Sequence, residues 1–465
     1  MIRVRNQPFS LTITTRSPLH IGAGRELVRD IDFVYDKDRH NVYVVDIEAV
    51  LELAEQKLQQ RHSQRAKQAQ QKKAQLKQRV IKYDAMPERT RIERELKAEE
   101  EKKLRSEMAQ IEKEIAAANE PDAQAIAQLW EGLQLSELTA EGLLNMDTDL
   151  AEGKAINGRP LVIYAYAGSI TGNQNIATQI KTPLHQPYLP GSSLKGALRT
   201  MLAWHRFAEL PPAQRQLASA VNARNAKSAD DAFESSMFVV PASGENGQGT
   251  AQNRDVLRAL QVSDSSSVSP ERLMLVPLVV QSKSDTGNAS RIPLNVEAIA
   301  PDTVMSARIQ LERYMLDGEP DARRGLDFRG YRELFAGLAL LARERAEARI
   351  AAEQHYFKVR GIASLERFYA ELAEQLRQLP ETSFLLQIGG HTGWNSKTLD
   401  DRLQANREEF ADLVKTHKIQ RTARGRGEMH PDATFPASRK IVLDAAGKPS
   451  LPMGWVQIDM VEEQR

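Results

Sequence analysis

Apolar and polar residues alternate from Phe9 to Thr15, the two-residue period of a strand buried on one face. Ser17 and Pro18 end that run, and Ile21 to Gly24 reads as a turn. Two more strand-like runs, Ile31 to Tyr35 and Asn41 to Val45, flank a polar hairpin turn at Asp36 to His40. From Glu48 to about Ala118 the pattern changes. Gln, Lys, Arg, Glu and Ala dominate, glycine is absent, and Met86-Pro87 interrupts the middle. Proline there breaks or starts a helix, so the segment predicts two antiparallel helices rather than one rod. In the second, Ile92, Leu96, Leu104, Met108, Ile111 and Ile115 keep a three-and-four spacing and form a narrow apolar stripe.

Leu161 to Tyr166 is apolar throughout and strand-like, and leads through Gly168 to Gly172 into a proline-rich stretch, Pro183 to Gly191. From Leu194 to Trp204 the only breaker is Gly196, so a loop delivers the start of a helix. Pro241 to Asn253 has the composition of a flexible loop. Leu260 to Ser265 opens a second β-rich block, continued by Leu273 to Val280 and Ile292 to Ile299 around a polar turn at Ser284 to Asn288. Met305 to Leu311 alternates strictly and closes it. Tyr331 to Ala352 and Ile362 to Leu379 read as amphipathic helices, and Phe384 to Ile388 as a buried strand feeding the glycine-rich turn Gly389 to Thr398. Val414 to Glu428 carries Lys415, Lys418, Arg421, Arg424 and Arg426 with two glycines and reads as mobile. Strands, helix, then strands again predict an α+β fold.

Composition narrows the function classes. A chain of 465 residues suggests two or three domains. Lys+Arg 63 against Asp+Glu 62 leaves a formal charge of +1, so any nucleic-acid contact must come from a local basic surface. The surplus of cations from Lys72 to Arg79 reads as the solvated outside of the helical hairpin. Cys 0 excludes disulfides and thiolate metal sites and fits a reducing cytoplasm. Met1 to Asn6 has no apolar signal region and no apolar run is long enough to span a bilayer, so the expectation is a cytoplasmic protein without a membrane partner.

Candidate chemistry centres on Tyr188 to Arg199. With Ser192 or Ser193 as N-cap, free N–H groups and the positive helix end would point outward, an arrangement that suits a phosphate. Lys195 and Arg199, four apart, would project from one helical face. The same residues also describe an ordinary helix start with solvated charges. A nucleotide P-loop is excluded because Lys195 precedes Gly196, and a dinucleotide fingerprint fails because Leu27 stands at the third glycine position. The nine histidines include no pair with metal-site spacing on one helix. His20 and His391, beside glycine turns, are placed to stack on a nucleotide or to be plain loop histidines. Trp394 and Trp455 read as core, with Trp394 alternatively a stacking platform. Asp264 reads as a local Asx turn. Asp30 and Asp32 flank Ile31, so strand alternation sends both acids to one face and Ile31 to the core. Arg25 and Arg29 stand close enough to neutralise them.

The stretch Tyr188-Leu189-Pro190-Gly191-Ser192-Ser193-Leu194-Lys195-Gly196-Ala197-Leu198-Arg199 resembles the glycine-rich motif of the RAMP superfamily, the RNA-binding subunits of CRISPR effector complexes. Ser17 to Gly24, Val262 to Ser265, Ile388 to Thr398 and Phe435 to Lys440 fit the same picture. In this order they are similar to the type III-A (Csm) subunit that caps the complex at the 3′ end of the CRISPR RNA (crRNA). The resemblance spans most of the chain apart from roughly Glu48 to Asn157.

It implies two ferredoxin-like (RRM-like) RAMP domains, residues 1–240 with a helical-hairpin insertion at about 50–120, and residues 241–465. It implies a non-catalytic subunit without cofactor or metal that supports crRNA maturation and complex assembly in antiviral defence. RNA would be held by Gly191, Ser192, Ser193, Lys195, Gly196 and Arg199, by His20, Gly22 and Gly24, by Gly389, Gly390, His391, Trp394 and Lys397, and by Arg439 and Lys440. Implied partners are crRNA and the other Csm subunits, above all the repeated backbone RAMP and the small subunit, with target RNA and trimming nucleases as further ones. Binding would read phosphates and backbone shape, since one protein must serve many spacers. Two alternatives stay open. Related backbone subunits cut target RNA with an aspartate after the first strand, so a metal-dependent RNase would use Asp30 or Asp32; a scaffold would recruit a partner through the hairpin.

Overall fold

The alternation at Phe9 to Thr15 is strand β1 (Gln7–Thr15), in which Leu11 and Ile13 are buried and Ser10 and Thr12 exposed. The computed structural model describes residues 6–85, 87, 90–119, 134–171, 175–222, 231–240, 251–281, 293–317, 327–417, 419, 435–436 and 438–463. Strands β2 (Gly22–Leu27), β3 (Phe33–Asp36) and β4 (Asn41–Val45) precede helices α1 (Ile47–Asp84), α2 (Arg91–Asn119) and α3 (Leu135–Ala140). Next come β5 (Ala155–Ile156), β6 (Arg159–Pro160), β7 (Val162–Ala167), β8 (Ile176–Gln179) and the glycine-motif helix α4 (Gly191–Glu209). Helices α5 (Ala218–Val221) and α6 (Asp231–Phe238) lead to β9 (Leu260–Val262), β10 (Leu273–Gln281), β11 (Leu294–Ile299) and β12 (Val304–Leu311). The remainder is α7 (Arg313–Asp317), α8 (Arg332–Ala336), α9 (Leu338–Val359), α10 (Ala363–Gln378), β13 (Ser383–Gln387), α11 (Asp400–Leu403), α12 (Arg407–Thr416), β14 (Arg439–Val442) and β15 (Trp455–Glu462). The fold is mixed α+β.

The contact pattern gives two compact units: residues 1–27, 37–41 and 166–465, and residues 28–36 and 42–165. This division crosses the expected boundary at 240, because the larger unit joins the beginning of the chain to its end. Its five-stranded sheet runs β13-β15-β1-β12-β9, with every neighbour antiparallel. Leu11 stands opposite Ala307 on one side and Met460 on the other. A one-residue slip would turn Leu11 and Ile13 to the other face, so the apolar pattern holds the register. Leu198, Met201 and Leu202 of α4 and Leu338 and Ala342 of α9 join Leu11, Ile13 and Ile309 in one core. A second sheet of this unit orders β2-β8-β11-β10, with β14 also on β10. Trp455, Tyr369 and Phe357 are packed in a further cluster with Leu385. Trp455 is therefore core.

In the smaller unit, the order β7-β4-β3 carries a core of Val34, Val45, Val50, Leu53, Leu138 and Leu161. Helices α1 and α2 form the expected antiparallel hairpin: Lys73 pairs with Glu112 at 2.6 Å, and Lys97 Nζ donates to the Asp84 carbonyl at 3.3 Å. Ala66, Ala69 and Leu76 of α1 and Leu104 of α2 are buried along the hairpin. The stripe does not hold along all of α2. Ile92 is 70% and Leu96 61% exposed, because Lys97 already faces the last residues of α1 and nothing of that helix remains to cover them. At its base, α1 contributes Ala49, Val50, Leu53 and Ala54 to the core, and Arg61 donates to the carbonyls of Glu141 and Gly142 at 2.9 Å.

Two local expectations change. Residues 30–32 form a turn rather than a strand, and Ile31 is 53% exposed. Asp30 takes φ 64°, and the Asp32 carboxylate accepts the Val28 N–H at 2.7 Å, a local side-chain closure that ends strand geometry before Phe33. Gly22 to Gly24 is not a turn but the start of β2, irregularly registered on β8. Gly172, the loop at 241–250, the turn at Ser284 to Asn288, and Lys418, Arg421, Arg424 and Arg426 lie outside the described residues. Among the described residues no helix is long and apolar enough to cross a membrane.

Among the described residues, Lys73 with Glu112 and Lys97 with Asp84 tie the distal part of the hairpin to itself, which sets a prediction. Replacing Lys67 to Ala116 by a short Gly/Ser linker should preserve a single cooperative melt, since lengthening or shortening a surface insertion changes closure entropy little. Leu53→Ala at the hairpin base should instead cost about 2–5 kcal/mol. Calorimetry on both variants checks the pair, and an aggregated deletion variant would show that the distal hairpin is part of the core.

Candidate nucleic-acid interface

The cap of the glycine-motif helix lies two residues before Ser192 and three before Ser193, the expected serine caps. Gly191 is its first residue, Pro190 occupies the N-cap position, and no side chain of the cap residue closes it. Proline fits there because its own N–H is not needed. The closing group comes from 73 residues away: the Gly191 N–H donates to Asp264 Oδ1 at 2.7 Å. A Cβ on Gly191 would stand 2.5–2.6 Å from backbone atoms of Val262 and Ser263, so only glycine allows this approach. Asp264 is thus a helix-end partner rather than a local turn, and it puts a carboxylate at the positive end of α4.

Lys195 and Arg199 do share one face, and that face is turned inward. Lys195 Nζ donates to the Leu260 carbonyl at 2.7 Å, and burial holds its pKa below the usual lysine value. Arg199 bridges Asp255 at 2.7 Å and Glu234 at 2.8 Å and lies 4.6 Å over the Phe238 ring. Ser192 is exposed, Ser193 half-buried, and a Cβ on Gly196 would meet nothing within 4 Å.

The second glycine turn meets the first loop of the chain. Gly390 N–H donates to the His20 carbonyl at 2.7 Å, Gly454 N–H to the Pro18 carbonyl at 2.8 Å, and Ile388 N–H to the Gly454 carbonyl at 2.7 Å. Gly389 has φ 95° and Gly454 φ 81°, and a Cβ on either would overlap backbone oxygen. His20 is only 3% exposed, with Nδ1 2.6 Å from the Glu297 carbonyl. It is too buried to stack on a nucleotide, and its ring instead lies 5.2 Å from that of His391. His391 is half-buried, and its Nδ1 is 3.0 Å from Lys440 Nζ. Lys397 is exposed. Trp394, half-buried, packs edge-on against Phe435 at 5.4 Å, which leaves it a wall residue rather than an open platform. Arg439 is bound to Glu353 at 2.8 Å and lies 4.0 Å over Tyr356, so it serves the interior. Gly22 and Gly24 are exposed on β2.

The electrostatics of this cluster are those of a crowded cationic surface. Burial, then Lys440, His20 and Lys397, push His391 down to about 3. Burial lowers the pKa of His20, and Lys181 and Lys397 add to it. Burial and Lys397 lower Lys440. Burial, Lys181 and Arg25 lower His185. A continuous set of interacting groups therefore runs from Arg25 and His185 through Lys181 to His20, His391, Lys397 and Lys440. Glu297, fully buried and ion-paired with Lys181, is the counter-charge beneath it. Its carboxylate also accepts the Gln179 N–H at 2.9 Å. The motifs did not point to Lys181 or Arg25. The available signal was Glu297, the one acid inside the largely apolar strand β11, which demands a buried cation.

Asp30 and Asp32 lie in the turn before β3, with Arg29 Nε 3.9 Å from Asp30, so they do not line one face of a strand. Among the described residues no group of three or more His, Cys, Asp or Glu is placed to hold a metal ion.

The neutral histidines give the folded protein a pH signature. His391 binds its proton in the unfolded chain near pH 6.5 but in the folded one only near 3, so stability is present above pH 6.5 and lost as pH falls below it. His391→Asn keeps a residue suited to φ 61° and removes the proton. Urea unfolding between pH 6.5 and 5 should show a flatter loss for the variant, by up to about 1.4 kcal/mol per pH unit. Parallel slopes would mean that the ring is not held neutral.

The RAMP superfamily profile matches residues 12–394. A chain of the Csm–crRNA–target RNA ternary complex of a type III-A CRISPR-Cas system, solved by cryo-EM, aligns with TM-score 0.57 and 21% identity. That alignment covers 99% of this chain and 100% of the other. The crystal structure of Csm5 from T. onnurineus aligns with TM-score 0.51 and 19% identity, over 96% of this chain and 99% of its own. At such identities the likeness speaks for the fold. No curated protein matches the sequence. The matched span starts inside β1, takes in the first glycine-rich motif and follows the second turn as far as Trp394, and it makes this chain a member of the RAMP superfamily.

Proposed function

We propose that the chain is a non-catalytic crRNA-binding subunit of a type III-A (Csm) CRISPR interference complex, seated on the 3′ end of the crRNA. The observation that carries this reading is the convergence of the 17–24 loop and the 388–398 turn on one surface edged by Arg25, Lys397 and Lys440. Cations there lie among histidines held neutral, so a phosphate backbone would relieve repulsion that the protein leaves in place. Backbone groups and lysines hold phosphates and do not discriminate bases, which suits a crRNA of any spacer. The fold neighbours, one solved within a Csm–crRNA–target RNA complex, support the same kind of assembly. Within it the partners would be crRNA, the backbone RAMP subunits and the small subunit. Strand order supports a ferredoxin-like domain as well. β1, α4, β9, β12, α9 and β15 follow a β-α-β-β-α-β sequence, and the strands pair as β15-β1-β12-β9. We read the sheet around β10 and β11 as the heart of the second such domain. A second reading, an arm that recruits a partner, rests on the exposed Ile81, Ile92 and Leu96 near the hairpin tip.

Two predictions follow from this surface. Lys397→Ala and Lys440→Ala should each weaken RNA binding equally for unrelated sequences and reduce the log–log salt slope by roughly one unit or less. Lys195→Ala should lower the melting temperature, because the Leu260 carbonyl loses a donor worth about 1 kcal/mol, and should leave the slope alone. Fluorescence anisotropy across a salt series separates them; a slope that responds to Lys195 and not to Lys397 or Lys440 would move the interface to α4. In a reconstituted complex, the Asp30→Ala, Asp32→Ala double variant should support the same target cleavage as the parent chain. Loss of one cleavage product with assembly intact would favour the metal-dependent RNase instead.

A further inference from the structure

Both glycine-rich motifs also line one cavity. A pocket of about 240 Å³ opens between α4, which contributes Arg199 and Ala203, and the end of the second turn, which contributes Trp394 and Lys397. Phe233 of α6 and Leu413 of α12 are among its apolar walls. The interior is thus apolar and partly aromatic, with Lys397 and the Arg199–Glu234 ion pair among its polar lining. Its walls are preformed. Arg345, 5% exposed, donates from one guanidinium nitrogen to the carbonyls of Thr398 at 2.9 Å and Asn395 at 3.4 Å. Ser396 Oγ donates to Thr392 Oγ1 at 2.7 Å across the same turn.

We infer that this pocket takes one unstacked nucleobase of the bound RNA, whose phosphate lies on Lys397. The inference rests on the RNA-binding reading above and adds a ligand subsite to it. Three observations carry it. Its volume is below the roughly 300–1,000 Å³ of pockets for drug-sized ligands, so it suits a single heterocycle. An apolar cavity with an indole in its wall is the environment in which proteins hold splayed bases of single-stranded RNA. Lys397 belongs to the pocket and to the cationic cluster alike, so a strand crossing that cluster can turn one base inward without leaving its phosphate contacts. An apolar side chain of a neighbouring protein would fit the interior equally, but it would make no use of Lys397.

The test is an abasic scan along a single-stranded RNA, bound to the intact chain at moderate salt. One position should lose about tenfold in affinity when its base is removed, with its neighbours little affected. Thr200→Trp, at a half-buried position of α4 that lines the pocket, should fill the cavity and abolish the difference between intact and abasic RNA at that position, without changing the salt slope. A flat scan combined with Lys397-dependent binding would overturn the pocket and leave the cationic surface standing. Absence of any RNA binding would overturn both. A Thr200→Trp chain that keeps the abasic difference, yet loses a neighbouring subunit from the assembled complex, would assign the pocket to a protein side chain and overturn the inference.

Discussion

The larger unit depends on a contact between backbones that no side chain could enter. Gly389, Gly390 and Gly454 bring β13 and β15 against the Pro18-Leu19-His20 segment, with three short N–H···O bonds across the junction. Any Cβ at Gly389 or Gly454 would collide with a carbonyl oxygen, so this approach is available to glycine alone. The consequence reaches the interface directly. With His20 fixed beneath Gly390, the His391 ring is held over it, and Lys440 and Lys397 are assembled around that ring. The junction also ties the end of β1 to the start of β15, adjacent strands of the central sheet.

Much of the framework was legible in the sequence because it rests on local periodicity. The alternation of β1 and of Met305 to Leu311, the hairpin broken at Met86-Pro87, and the helix after the proline-rich stretch each express a pattern confined to neighbouring residues. What could not be read depends on partners distant in the chain. Asp264 reaches Gly191 across 73 residues, and Lys195 reaches Leu260 across 65. Local reading gave the helix start a serine cap and an open phosphate site, but a remote carboxylate occupies that position. Asp30 to Asp32 failed for the opposite reason. There a purely local hydrogen bond, Asp32 to Val28, overrides the strand alternation.

The near-neutral balance of 63 cations and 62 acids conceals a local arrangement rather than excluding one. Glu297 and Lys181 neutralise each other in the interior, while Asp255, Glu234 and Glu353 hold Arg199 and Arg439 to structural work. These pairs remove the cations most conspicuous in the motifs from the surface. Lys397 and Lys440 are left, one exposed and one half-buried beside a neutral histidine. Burial and geometry, and not motif membership, decide which basic residues remain available to a polyanion.

This changes what the glycine-rich motif does. In the helix-terminus picture, glycine exposes backbone N–H groups so that a phosphate can approach. Here Gly191 lets the helix start press against Val262 and Ser263, and its N–H is taken by a carboxylate. A phosphate at that place would have to displace Asp264 and then sit beside it, at a cost of several kcal/mol for like charges so close in a partly buried setting. The motif therefore acts at a distance from its own glycine. Fixing the start of α4 fixes the rotation of the whole helix, and that rotation sets Arg199 and Ala203 opposite Trp394 and Lys397. The two glycine-rich turns share one logic: each spends its glycines on a backbone contact, and the side chains that can meet RNA are those the contact places next to it.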